Sequence, residues 1–230
     1  MSDVGSQLYK KQTSANSDFP VDDFTDILDN DKNIDKQEVF DRFLTYRRRM
    51  ARLAAIQALY LYDFRNQNTA NQSANLFSNN SDEAITAICQ EIIDYYRNVV
   101  FTIQEYGWTK RNKKIDEAFM FAIVNTAIKE QSKIDNLIQQ RLVGNWTVAK
   151  LDLVLRAIIR CAMAELLLGE KIEKAVLCSE YTNLASEFCS NKEVGFINGI
   201  VDKLYSLAIK STSFANQISS AFENLKQNNE

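Results

Sequence analysis

The residues able to do chemistry narrow quickly. The chain has no histidine, so the side chain that most often serves as general base near neutral pH is missing. No GxSxG, GxGxxG or GxxxxGK(S/T) pattern occurs, which removes the nucleophile elbow, the dinucleotide fingerprint and the P-loop. Nothing in the spacing of carboxylates or lysines points to catalysis either. Cys89, Cys161, Cys178 and Cys189 show no CxxC spacing, and zinc would have to gather ligands from scattered segments. No catalytic residue, cofactor or metal is expected. The cysteines read as small buried apolar residues in a reducing compartment.

What remains is positive charge placed on helices. In "YRRRMARLAAIQALYLYDF", residues 46–64, Arg47, Arg48, Arg49 and Arg52 stand together and Asp63 is the sole acid. A solvated helix face usually mixes signs, whereas arginine grips phosphate in a two-pronged fork. The stretch is therefore either a charged outer face or a site for nucleic acid or another polyanion. A second constellation lies in "NKEVGFINGIVDKLYSLA", residues 191–208. Lys192, Phe196, Gly199 and Lys203 recur at i, i+4, i+7 and i+11, on one stripe of a helix. An unstacked base could lie on Phe196 while the lysines meet phosphates. Equally, Phe196 and Gly199 could serve helix packing.

The elements that must position these residues read as helices. Pro20 is the only proline, and the following 210 residues hold none; a sheet protein of this length would need many more turn residues. Residues 46–64 place Tyr46, Met50, Leu53, Ala54, Gln57, Tyr60, Leu61 and Phe64 on one expected buried face, with Arg48 and Arg52 pointing away. "IDKQEVFDRFLTY" suggests a lead-in helix, and "RNQNTANQSANLFSNN", from Arg65, a polar linker. Ser81 with Asp82 and Glu83 starts a helix expected to stop near Gly107. Another runs from about Lys113 to about Leu142, with room for a break. A nearly all-apolar helix, about Val148 to Leu168, is expected to be central and buried, with Arg156, Arg160 and Glu165 in internal ion pairs. One more covers about Glu173 to Cys189. Ser190 and Glu193 then form an S-x-x-E capping box for a helix burying Val194, Ile197, Ile200, Val201, Leu204 and Ala208. The fold class is all-α.

Charge is divided unevenly. Residues 1–41 hold ten acids against four lysines, net −6, within a total of −3, so residues 42–230 carry +3. A polyanion partner for the body is compatible with the acidic pI. We expect three regions: 1–41, an acidic and disordered extension; 42–209, a helical domain; and 210–230, a C-terminal tail. There is no secretory signal and no long apolar run, so no membrane association is expected and the location is expected to be cytoplasmic.

Four segments in order carry a resemblance. "RRRMARLAAIQALYLYDF" is similar to the N-terminal arginine helix of the bacterial NusB transcription antitermination family, which ends in a Q-A-L-Y element, here Gln57 to Tyr60. "IDNLIQQRLVGNW" followed by "LRAIIRCAMAELLL" resembles its middle segment, with Trp146, Arg156, Arg160 and Glu165 in register. "IEKAVLCSEYTNLASEF" resembles the helix before the family's F-V-N-G-V-L-D-K signature, which stands here as "FINGIVDK", residues 196–203. The resemblance covers about residues 45–208. The chain departs from the family's pattern at Leu53, where a glutamate is common, at Glu173, where a proline is usual, and at Cys178, Ser179 and Glu180, where I-N-E is usual.

The resemblance implies two perpendicular three-helix bundles with an extra helix. It implies a non-enzymatic protein that binds the boxA element of ribosomal RNA leader transcripts jointly with NusE, a small-subunit ribosomal protein. That pair supports an RNA polymerase elongation complex with other Nus factors. The implied RNA contacts are Arg47, Arg48, Arg49, Arg52 and Phe196, with Asn198 nearby; Lys192 and Lys203 join them from the helical stripe. The alternatives are a protein-binding helical scaffold, or a NusB-like domain serving an RNA-modifying enzyme.

Overall fold

The computed structural model describes residues 36–70, 81–98, 115–169 and 172–208. Among them are seven α-helices and no strand. They are α1 (Lys36–Ala70), α2 (Ser81–Asn98), α3 (Glu117–Lys129), α4 (Gln131–Gln139), α5 (Leu153–Leu167), α6 (Lys174–Ala185) and α7 (residues 191–208). The chain divides into two compact units between Glu130 and Gln131, with α1 to α3 in the first and α4 to α7 in the second. This is the expected all-α class. Most of the acidic extension, part of the linker, the stop near Gly107, the start near Lys113 and the C-terminal tail lie outside the described residues.

In the first unit each helix packs on the other two. The lead-in helix and the arginine helix are one continuous α1, which runs on through residues 65–70 where a linker was expected. Arg65 is why the helix still has a neighbour there: its Nη2 donates to both carboxylate oxygens of Glu91 on α2, at 3.0 and 2.8 Å. The buried face of α1 is also rotated from the expected one. Ala51, Ala54, Ala55, Ala58 and Leu59 are buried, and so is Arg52, whereas Tyr60 and Phe64 are exposed and stack on each other at 6.1 Å. Alanines let neighbouring helices approach closely, so the packing seam follows them rather than the bulkiest side chains. Ile85, Ile88, Cys89, Ile93 and Tyr96 of α2 face that seam, and the Tyr96 hydroxyl donates to Gln57 Oε1 at 3.0 Å. Asp116 caps α3 by accepting from the Phe119 N–H at 3.0 Å. At the other end Lys129 pairs with Asp82 in the first turn of α2, at 3.0 Å, a cation and an anion each at the favourable helix terminus.

The second unit is built on α5, buried from Leu155 to Glu165. The expected single helix from Val148 is instead a 3-10 turn, Val148–Lys150, followed by extended Leu151. Asp152 then caps α5 by accepting from the Val154 N–H at 2.8 Å. Gly169, at φ +78°, ends it. Of the buried polar groups of α5, Arg160 is in an ion pair as expected. Arg160 is bidentate to Asp135 of α4, at 2.8 and 2.7 Å, and Glu165 accepts from the buried Tyr181 hydroxyl of α6 at 2.8 Å. The loop from α4 is closed by Gln139, which donates to the Trp146 carbonyl at 3.1 Å and accepts from the Val148 N–H at 3.2 Å. Trp146 itself is exposed.

Cys89 and Cys161 sit in the two cores, while Cys178 and Cys189 are half-buried rather than buried; all four are free. Burial pushes the Cys89 thiol up to about 12 and the Cys161 thiol well above its ordinary value. Neither is a nucleophile at neutral pH.

Replacing Tyr181 by Phe removes the hydroxyl from buried Glu165 without opening a cavity. The expected loss is about 1–3 kcal/mol of unfolding free energy, read as a lower urea midpoint at unchanged slope.

Candidate nucleic-acid interface

The arginine stretch lies mid-way along α1. Arg47, Arg48 and Arg49 are half-buried, and Arg52 is 5% exposed. Arg52 therefore does not point away from the core as its spacing suggested. Its guanidinium stands 5.5 Å from the ring centroid of Phe119 on α3, and that of Arg48 stands 5.2 Å from the same ring. Both distances are within cation–π range. The aliphatic stem of Arg52 can fill core space while its head meets the electron-rich ring face, which is how a guanidinium is buried at modest cost. Arg47 is tied to the segment just before α3: its Nη2 donates to the Ile115 carbonyl and its own carbonyl accepts from the Asp116 N–H, both at 3.4 Å. α3 and its capping residue thus fix three of the four arginines.

Phe119 and Ile115 were not singled out in the sequence. Phe119 belongs to an apolar run, "FMFAIV", in which nothing distinguishes the phenylalanine that meets an arginine 67 positions earlier. Only the packing of α1 on α3 creates that pair.

The second constellation is on α7. Ile197, Ile200, Val201, Leu204 and Ala208 form its buried face as expected, while Val194 is only half-buried. Lys192 and Lys203 are exposed and Phe196 is 37% exposed. With 100° per residue, Lys192, Phe196, Gly199 and Lys203 fall within about 60° of arc. Among the described residues, a Cβ at Gly199, or at Gly195, would meet nothing within 4 Å. Asn198 is off the stripe, on the flank toward α6, where its Oδ1 accepts from the Thr182 hydroxyl at 3.4 Å.

Further polar contacts help to hold α7 in place. The Glu193 carboxylate accepts from both the Ser190 N–H and the Ser190 hydroxyl at 2.7 Å. This is the reaching-back half of a capping box; the hydroxyl turns to the carboxylate rather than to the helix N–H groups. Lys174 of α6 pairs with Asp202 at 2.6 Å, and the Tyr205 hydroxyl donates to the Ile172 carbonyl at 3.0 Å. The Ser190 hydroxyl, then its N–H, hold the Glu193 carboxyl below its ordinary 4.5. The arginines belong to the first compact unit and the α7 stripe to the second.

Among the described residues no group of three or more cysteine, aspartate or glutamate side chains is placed to hold a metal ion. None of the described helices is long and apolar enough to cross a membrane.

The sequence model of the NusB family matches residues 49–206. The transcription antitermination protein NusB of Rickettsia felis is 28% identical over 155 residues, 67% of this chain and 88% of that protein. NusB of Brucella anthropi is 30% identical over 158 residues, 69% of this chain and 81% of that protein. Among solved structures, NusB of T. maritima is 24% identical, covering 69% of this chain and 89% of that one, with a TM-score of 0.48. A chain from a crystal structure of antitermination factors NusB and NusE in complex with dsRNA is 21% identical, covering 70% and 98%, with a TM-score of 0.49.

Two outcomes follow from this geometry. Arg52→Ala should lower stability by about 1–2 kcal/mol through lost stem packing and ring contact, Arg52→Met should recover the packing part, and Arg49→Ala should cost less than either, all read from urea midpoints. Because the folded state lowers the Glu193 value, its contribution is complete above 4.5 and is lost as pH falls through the lower folded-state value. Thermal melts taken stepwise downward from about pH 6 should show this loss in the native chain and not in Glu193→Gln.

Proposed function

The chain belongs to the NusB family, and from that premise we propose that it is a non-enzymatic RNA-binding adaptor of transcription antitermination. Its RNA is the boxA element of ribosomal RNA leader transcripts, bound together with NusE, and the complex serves processive transcription by RNA polymerase with other Nus factors. The observation that carries the reading is the arginine group on α1. Arg47, Arg48 and Arg49 stand together, half-buried, on one stretch of α1, and Arg52 seats its own guanidinium, beside that of Arg48, on Phe119; phosphates would meet their forks. Phosphate contacts of this kind set register and orientation without reading sequence.

Sequence preference falls to α7. Phe196 offers a flat apolar face to an unstacked base, Lys192 and Lys203 offer charge on the same stripe, and Asn198 offers an amide on the adjacent flank. The side chains that could recognise RNA include no general base or nucleophile, so the role is binding and presentation. The match to family members from residue 49 onward supports the adaptor reading over that of a domain serving an RNA-modifying enzyme.

Fluorescence anisotropy of a labelled boxA-type single-stranded RNA tests this. With about four phosphates neutralised, log K should fall against log salt with a slope of roughly −3; a slope near zero would reject the arginine contacts. Phe196→Ala should weaken binding by about 1–3 kcal/mol, or roughly 5- to 150-fold, and added NusE should strengthen it. Absence of binding by the folded protein, with or without NusE, would make the arginine group a protein-docking face instead.

A further inference from the structure

The fold uses the carbonyl of Trp146 and leaves the residue itself 57% exposed. Its ring is not carried on a loose loop. Gln139 clamps residues 140–147 from both ends, Lys150 Nζ donates to the Asn145 carbonyl at 3.0 Å, and Gly144 turns the chain at φ +67°. Val143 is exposed at the same turn. A ring held on a closed loop costs little to order when something covers it.

The charge around this ring has one sign. Residues 136–151 hold Arg141 and Lys150 and no acid. Among the described residues the Arg141 guanidinium meets no carboxylate, and its Nε, shut off from solvent, has no hydrogen-bond partner. Lys150 meets a neutral carbonyl, so its charge is not offset either. The loop also lies at the end of the second unit where α7 begins. Burial, then Glu193 and then Asp152 raise the Cys189 thiol above its ordinary value, which places Asp152, two residues after Lys150, near the residue before Ser190. The acids at this end are engaged, Asp152 with the Val154 N–H and Glu193 with Ser190. The exposed aromatic side chains among the described residues of this unit are Trp146, Phe188 and Phe196.

We propose that the loop of residues 140–150 is a second stacking site for single-stranded RNA, at which Trp146 takes an unstacked base while Arg141 and Lys150 meet the phosphates beside it. This rests on the RNA reading above and extends the footprint assigned there to α1 and α7. A base of any sequence has a flat face to lay on an indole, and a guanidinium with unused donors is suited to a phosphate fork. A protein partner would find a different surface. Gln140, Asn145, Thr147 and two cations border the ring, where the centre of a protein interface is apolar and poor in charge.

The test uses the full chain and anisotropy of labelled boxA-type single-stranded RNA. Trp146→Ala should weaken binding about tenfold, and Trp146→Phe, which keeps a flat ring, should recover most of it. Arg141→Gln with Lys150→Gln should make the log K against log salt slope shallower by roughly 1. Urea midpoints check that each variant folds. A second readout needs no substitution at the site. The chain has two tryptophans, Trp108 and Trp146, so 5-fluorotryptophan labelling gives two fluorine resonances, assigned with Trp146→Phe. The Trp146 resonance should shift on adding RNA and saturate where the anisotropy does. RNA binding with an unmoved Trp146 resonance, and with equal affinity in Trp146→Ala, overturns the stacking site and leaves the RNA reading standing. A Trp146→Ala chain that binds RNA like the native one but loses the strengthening by NusE makes the loop a protein-docking face and overturns it as well. Absence of RNA binding by the folded native chain rejects the RNA reading and the stacking site with it.

Discussion

Burying a guanidinium is tolerable only where something electron-rich faces it, and in residues 36–130 the ring of Phe119 does that for Arg52 and Arg48 together. The arginine stretch depends on this arrangement. The ring meets Arg52 where it is buried to 5% exposure, on the same turns of α1 as the alanines that permit close approach of α2 and α3. The ring is itself located by the cap of its own helix, since Asp116 accepts from the Phe119 N–H. A capping residue on α3 thus helps to set where positive charge stands on α1.

The second unit solves a similar problem with different chemistry. Its central helix is buried on nearly every side yet carries Arg156, Arg160 and Glu165. Arg160 meets a carboxylate from α4 and Glu165 meets a phenol from α6, so the buried polar groups link α5 to two neighbours. Such pairs add little net stability relative to apolar replacements, but breaking one leaves an uncompensated charge in the core. Charge in this unit links α5 to α4 and α6, while the arginines of α1 are held against the segment that begins α3.

Much of this was legible in the sequence, and the losses have specific causes. The helical class followed from the scarcity of breakers after Pro20, and the α7 face followed from strong period-3.6 signals at Ile197, Ile200, Val201 and Leu204. The phase of α1 was misread because Tyr60 and Phe64 outweigh Ala51, Ala55 and Ala58 by bulk, whereas close helix packing selects by size and not by hydrophobicity alone. The break at Leu151 and Asp152 was missed because an apolar run hides a capping aspartate within it. The arginines and the α7 stripe were visible as types at a spacing. Their anchoring by Phe119 and Ile115 was not, since a contact across 67 residues leaves no local pattern. The acidic extension was visible only as an arithmetic imbalance.

The open flank of α7 bears on motion. Gly195 and Gly199 lie inside a helix where a Cβ would meet nothing, so each forgoes about 1 kcal/mol of helix propensity relative to alanine with no steric reason. The ties at Ser190–Glu193 and Lys174–Asp202 stand on either side of that weakened stretch. The opposite face of the same stretch buries Ile197, Ile200 and Val201, and Asn198 meets Thr182 of α6. Its backbone amides near Gly199 should exchange with solvent by local openings that must also lift Ile197 and Ile200 from the core, so Phe196 rides on a helix weak in propensity and held by its buried face.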